Sequence, residues 1–431
     1  MRTPLPAAAA ALAAGALLLA GCAGAPDPDA SVAAAADISQ CDPTESELII
    51  SHQPPAAEAV AYAVEQMAAD YPDLKVTVNS LQTATYDEFT QAVVADIAVG
   101  KRPDLIVSGL GQLRFWVEQF EPMPIDADAL ADTYQRQFLG AGTVDGEVYL
   151  APAQVSIPYL AVNQTALDAA GAGDAEDIRT YDDLIEAATK VSAQTGAPSV
   201  TIGTNNIPDW LSQAFVQGAG GTFITDDGRP AFGDDLGIDA VSIWSDLKAE
   251  GLELGIVMDA DSQAAFANGT AQFLITSSAG IATAQKNIGD NFDWRAVDLP
   301  TVNGEQGPMP AGGNGWIVLS DDECRAAFAN AALGHLLSPE GVLRASGTSF
   351  SYIPVDSAAA EELLASDAAT PQTTYAWSYD RAVTPWGGWK GEATQRVVDI
   401  FRTMSQQLQA GADPEPTIET AVSAIDALVA E

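Results

Sequence analysis

The order of strand and helix signals along the chain narrows its fold more than any single motif does. Residues 47–50 form a β-type run ending in Ser51-His52-Gln53-Pro54-Pro55, and apolar residues then recur at helical spacing over 58–71. Residues 75–78 alternate as a second strand, and 86–99 repeat the helical pattern up to Gly100. Pro103-Asp104-Leu105-Ile106-Val107 reads as a buried strand running into Ser108-Gly109-Leu110-Gly111. Alternation of this kind predicts an α/β architecture. In open α/β sheets ligands lie beyond the carboxyl ends of the strands, so a site is expected after Ile50, Val78 and Val107.

Further along, residues 148–162 are extended but interrupted by Pro152 and Pro158. An interior strand tolerates proline poorly, so this stretch is expected to cross between lobes. Residues 181–193 read as a helix behind Thr180, a good N-cap residue. Residues 238–250 and 324–337 read as further amphipathic helices, and the Gly- and Pro-rich 303–314 as a second candidate crossing. Trp116 and Trp244 sit in helical apolar stripes and are expected in the core.

The first residues combine Arg2, an uncharged apolar run over 7–20, and small residues leading to Cys22. That run is too short for a permanent membrane helix and has the form of a cleavable export signal. The Ala-rich polar stretch that follows, up to Asp37, reads as a flexible tether. Roughly 390 residues remain, too many for one core and suited to two lobes. Against 18 Lys+Arg stand 59 Asp+Glu, a net charge of −41. Such a field repels nucleic acid and anionic lipid, so neither is an expected partner. The acidity is spread along the chain and reads as a solvated surface. The two histidines, His52 and His335, lack metal-ligand spacing, and no metal or cofactor is expected.

Leu19-Ala20-Gly21-Cys22 resembles a bacterial lipobox, which implies that Cys22 is the lipidated first residue of the mature chain. Several later segments, in order, resemble the family 1 extracellular solute-binding proteins of carbohydrate-type ABC importers. They are Asp145-Gly146-Glu147-Val148-Tyr149-Leu150-Ala151-Pro152, Tyr159-Leu160-Ala161-Val162-Asn163, Thr180-Tyr181-Asp182-Asp183-Leu184 and Phe266-Ala267-Asn268-Gly269-Thr270-Ala271. Leu299-Pro300, Gly312-Gly313 and Leu337-Ser338-Pro339-Glu340 continue the series. Ile275-Thr276-Ser277-Ser278-Ala279-Gly280, Gly312-Gly313 and Ser351-Tyr352-Ile353-Pro354 resemble in particular the branch that contains the glycerol-3-phosphate-binding protein.

The resemblance implies an α/β, two-lobe periplasmic-binding-protein fold, type II-like, with a hinged ligand cleft. Residues 1–21 would be the signal peptide and 22–44 the lipidated tether. The N-terminal lobe would take 45–154 and a return segment, 302–350; the C-terminal lobe would take 155–301 and the helical end, 351–431. Carried over by position, Tyr86, Ser156, Trp210, Ser277, Gly313 and Tyr352 are the expected ligand-binding residues. An acidic residue of the branch is replaced by Gly109, and its late arginine falls near Lys390. Trp386 and Trp389, just ahead of that position, suit stacking on a sugar ring. These departures weaken a phosphate ligand and favour a mono- or oligosaccharide or related polyol. A glycerophosphodiester or glycerol phosphate is the alternative.

The family further implies a monomer, anchored to the cell membrane only through lipidated Cys22, that hands its ligand to ABC permease subunits. With Cys22 lipidated, Cys41 and Cys324 form an even remainder in an oxidising compartment, which favours one disulfide over two unrelated thiols. A carbohydrate hydrolase or a sensor lipoprotein is the rival class. The sequence holds no Gly-x-Ser-x-Gly elbow, no His-Glu-x-x-His and no phosphate loop, and among 59 acidic residues chance carboxylate pairs carry no weight, so no enzyme is expected.

Overall fold

Residues with alternating or continuous β-branched and apolar side chains assemble into two main sheets, beside two short two-stranded ones. The computed structural model describes residues 35–83, 85–348, 350–389 and 394–430, which belong to one compact unit. Ten strands organise it: β1 Glu47–His52, β2 Lys75–Ser80, β3 Leu105–Gly109, β4 Ala151–Ser156, β5 Pro158–Asn163, β6 Val200–Ile202, β7 Phe273–Ser277, β8 Trp294–Asp298, β9 Gly312–Val318 and β10 Ile353–Pro354. One sheet has the order β10-β4-β9-β3-β1-β2 and the other β8-β5-β7-β6. β1 pairs parallel to β2 and β3, whereas β9 runs antiparallel to β3 and β4. The helices expected near 58–71, 86–99 and 181–193 are Ala57–Asp70, Tyr86–Ala98 and Tyr181–Thr195, the last closed by a Thr180–Asp183 capping box.

The chain passes from the first sheet to the second at Ile157, within the stretch read as a crossing. Both flanks of that crossing are nevertheless interior strands, contrary to the expectation drawn from the prolines. β4 lies between β10 and β9, and β5 between β8 and β7. Pro152 sits where the β4–β9 register shifts at Asn314/Gly315, and Pro158 opens β5. At a bulge and at a strand start, a missing N–H breaks no regular ladder. β10 belongs to the first sheet through its pairing with β4, although it lies beyond the 302–350 segment expected to complete that lobe. The helix expected over 238–250 is two helices, Asp235–Val241 and Ile243–Ala249, parted at Ser242, whose hydroxyl donates back to the Ile238 carbonyl at 2.7 Å.

One continuous hydrophobic core runs through both lobes. Trp116 is fully buried in the first, its indole donating to Ser108 Oγ, and Trp244 in the second against Phe215. Cys41, just ahead of β1, is disulfide-bonded to Cys324 in the helix Glu323–Leu336. No described helix is long and apolar enough to cross a membrane.

The second lobe buries an acid. Glu253 is 4 % exposed; its Oε1 accepts from Gln409 Nε2 and the Gly255 N–H, while Oε2 has no partner. Burial pushes its carboxyl from 4.5 up to about 7, against the pull of those donors. Because the folded value is the higher one, the stability it favours is full below about pH 4.5 and is lost as pH rises through 7. At one pKa unit per 1.36 kcal/mol the loss is at most about 3 kcal/mol. Glu253→Gln is therefore expected to raise the urea midpoint at pH 8 and to flatten its fall between pH 4.5 and 7. A midpoint at pH 8 equal to that of the parent protein would count against the buried charge.

Candidate functional site

Both sheets end at one cleft. The carboxyl ends of β3, β4 and β7 and the start of β9 converge on a cavity of about 290 Å³, lined from both lobes. Tyr86, Ser156, Trp210, Ser277, Gly313, Tyr352, Trp386 and Trp389 all line it. Lys390 and Cys22 lie outside the described residues.

From the first lobe, Tyr86 opens the helix Tyr86–Ala98 behind its N-cap Thr85. Its ring covers Gly109, where a β-carbon would come within 2.4 Å of the ring. A larger residue at the end of β3 is thus excluded by the tyrosine that fills its space. Tyr86 Oη accepts from Asn314 Nδ2 at 3.1 Å and is hydrogen-bonded to the Tyr352 hydroxyl; burial raises the pKa of both phenols. Ser156 ends β4 opposite Gly312, and Gly313 follows at φ +99°. Asp87, beside Tyr86, accepts from Gln112 Nε2 at 2.7 Å, and burial raises its carboxyl.

From the second lobe, Ser277 ends β7 and accepts the Ala279 N–H at 3.3 Å, leaving its side chain half-buried at the cleft. The helix Pro208–Gly218 brings Asp209 and Trp210. Trp210 is 1 % exposed, donates to the Pro310 carbonyl at 3.0 Å, and packs on Gly312, where a β-carbon would meet its ring at 2.7 Å. It is both core and cleft wall. Trp386 is half-buried beside it, with ring centroids 5.9 Å apart. Its segment is clamped by Gln213, which donates to the Pro385 carbonyl and accepts the Gly387 N–H, and its indole donates to Asp209 Oδ2 at 2.7 Å. Trp386 also closes against the first lobe, since a β-carbon on Gly111 would lie 3.1 Å from its ring. Trp389 lines the cleft and is buried against Phe223 and Phe401.

The polar lining residues that were not anticipated include Asp87, Gln112, Asp209 and Arg402. Asp87 and Asp209 occupy first helical turns, where an acid reads as a partner of the helix dipole. Arg402 lies on the polar face of the helix Thr394–Gln409, donating to the Asn205 carbonyl and to Asp399. Nothing local in the sequence marks these four as cleft residues. Among the described residues no group of three or more His, Cys, Asp or Glu could hold a metal ion.

Two α/β lobes joined by crossing strands, with a polar and aromatic cleft at the strand ends, define a solute-binding protein. Residues 62–372 match the family model of the bacterial extracellular solute-binding proteins, and the chain belongs to that family. The chain is 27 % identical over 155 residues to the arabinooligosaccharide-binding protein of Halalkalibacterium halodurans, covering 36 % of this chain and 32 % of that one. It is 25 % identical over 232 residues to the sn-glycerol-3-phosphate-binding periplasmic protein UgpB of Brucella melitensis, covering 52 % of each. The chain thus spans about half the length, or less, of these curated relatives. In fold it is similar to the cyclic alpha-maltosyl-1,6-maltose binding protein from Arthrobacter globiformis, with TM-score 0.74, 19 % identity, and 89 % and 98 % of the two chains covered. It is likewise similar to UgpB from Mycobacterium tuberculosis in complex with glycerophosphocholine, with TM-score 0.73, 16 % identity and 90 % and 99 % covered.

Proposed function

We propose that the chain is the lipid-anchored receptor of an ABC importer and that it captures a mono- or oligosaccharide or related polyol between its lobes. The observation that carries this reading is the make-up of the cleft. Trp210, Trp386 and the two tyrosines offer apolar faces to C–H surface, while Ser156, Ser277, Gln112 and two carboxylates offer hydrogen-bonding groups to hydroxyls. A cavity of about 290 Å³ is at the small end for ligand sites, which suits a small sugar or one end of a longer one. The relatives named for arabino-oligosaccharide and cyclic maltosyl-maltose support the same class. A glycerophosphodiester is the second reading, favoured by the Arg402 guanidinium at the cleft and by the UgpB relatives.

Closure follows from the two-walled site. Ser277 and Trp210 stand on one lobe and Tyr86 and Gly313 on the other, so a ligand gains its second set of contacts only in the closed form and shifts the equilibrium toward it. The lipid on Cys22 would keep the receptor near its permease. A thermal-shift screen of mono- and disaccharides, polyols and glycerophosphodiesters tests the reading. A sugar at 100-fold its Kd is expected to stabilise the fold by about 2.7 kcal/mol, a shift of a few degrees. Stabilisation by a glycerophosphodiester and by no sugar or polyol would replace this reading with the second.

A further inference from the structure

The fold leaves the hydrogen bonding of one cleft residue incomplete. Asp209 is 5 % exposed in the first turn of the helix Pro208–Gly218. Its Oδ2 accepts the Trp386 indole N–H; the Asp209 and Trp210 backbone N–H groups lie close enough to act on the carboxyl electrostatically, but Oδ1 is buried with no partner in hydrogen-bond geometry. Leaving a carboxylate oxygen unpaired away from water is costly, so such an atom in a binding cleft points to a partner that arrives with the ligand. Asp87 faces the same cleft from the other lobe and adds like charge. Arg402 is the cationic lining residue among those described, and it is already engaged by Asp399 and the Asn205 carbonyl.

We infer that Asp209 is the cleft's specificity-determining residue, its Oδ1 accepting a hydrogen bond from a hydroxyl of an uncharged sugar and, with Asp87, turning away ligands that present a phosphate there. The inference rests on the carbohydrate reading above and narrows it. A sugar hydroxyl donates, and a bond to a carboxylate is charge-assisted and stronger than one between neutral groups. A phosphate dianion offers only acceptor oxygens. It would leave Oδ1 unpaired and place a third negative charge beside two carboxylates, where like charges disfavour binding.

Protonation gives this role a signature that a purely structural residue lacks. Burial pushes the Asp209 carboxyl up to about 6, with the Trp386 and first-turn N–H groups pulling it down and Asp87 adding to the rise. A ligand hydroxyl on Oδ1 stabilises the charged form and lowers that value, so affinity rises from pH 5 to pH 7. The other groups facing the cleft are Asp87, itself raised by burial; the Arg402–Asp399 pair; and the Tyr86 and Tyr352 phenols, both raised above 10.

The test is titration calorimetry of the full chain with maltose, arabinotriose and glycerol 3-phosphate at pH 5 and pH 7. A neutral sugar is expected to bind and glycerol 3-phosphate not to bind, with affinity falling about tenfold at pH 5. Asp209→Asn keeps an oxygen for the Trp386 N–H but turns an N–H toward the ligand's donor. It is expected to weaken binding about tenfold or more and to flatten the pH profile. Asp87→Asn should keep the slope and move its midpoint to lower pH, because a like charge is lost. Equal binding and an unchanged slope in Asp209→Asn overturn the inference and leave the carbohydrate reading standing. Binding of glycerol 3-phosphate in preference to both sugars, or of no probe at all, overturns both. Should the asparagine variant not fold, a flat profile for the parent protein between pH 5 and 7 overturns the inference by itself.

Discussion

Alanine at Gly313 is expected to lower the free energy of unfolding by about 3–5 kcal/mol, among the largest effects of any single substitution in this chain. The position has φ +99°, a conformation L side chains rarely adopt, inside the strand β9 that joins β3 to β4. A β-carbon there would lie 1.9 Å from the Gln154 carbonyl oxygen, and the obstacle is strand backbone, which cannot rotate aside. The Gln154 side chain is committed as well, since Nε2 donates to the Ala345 carbonyl and Oε1 accepts from Asn314 Nδ2. Moving that carbonyl therefore loosens β4 just ahead of the crossing at Ile157, and with it Ser156 in the cleft. Urea unfolding measures the loss, and a change below about 1 kcal/mol would mean that the strand relaxes freely. Gly312→Ala is the contrast. Its β-carbon would meet the Trp210 ring and the Ser156 hydroxyl, which are side chains, so repacking absorbs part of the cost and the indole shifts within the cleft.

This pair of glycines also illustrates what the sequence discloses. The change of period located the strands and helices around residues 47–109, because the two helices each bury one face, β3 is a continuous apolar run, and Gly and Pro mark the ends. Tyr86, Ser156, Ser277 and Tyr352 could be placed in one cleft only through ordered motifs shared with a family, since they lie on different strands and loops of two sheets. Local patterns fail where tertiary contacts decide. Pro152 seemed to exclude an interior strand, but the bulge opposite it at Asn314/Gly315 accommodates the missing N–H. Asp209 looks like any acid at a helix start. It is buried in the fold, and one of its oxygens is taken by the indole N–H of Trp386, 177 positions away. Arg402 reads as a solvated helix face until the loop carrying Asn205 reaches it.

Replacing both Cys41 and Cys324 with serine is expected to destabilise the protein by about 3–5 kcal/mol while leaving ligand affinity unchanged. The bridge joins residues separated by 283 positions, so in the unfolded chain it removes the freedom of a very long loop. Loop entropy alone gives an upper value of about 5–6 kcal/mol, which residual denatured-state structure reduces. In the native state both ends lie in one lobe. Cys41 precedes β1, and the helix carrying Cys324 packs on Ala57–Asp70. The next residue, Arg325, donates to Asp104 Oδ2 at 2.9 Å, and that 1 % exposed carboxylate also accepts the Ile49 N–H and the Ser320 hydroxyl. This network holds the helix start to β1 and β3 without the disulfide, so the lobe keeps its shape when the bridge is lost. Since the bond does not span the crossing at Ile157, it does not restrain closure. Unfolding and calorimetric titration of the double variant separate the two effects. A fall in affinity alongside stability would mean that the bridge shapes the cleft, and reactive thiols at Cys41 and Cys324 before reduction would remove the bridge altogether.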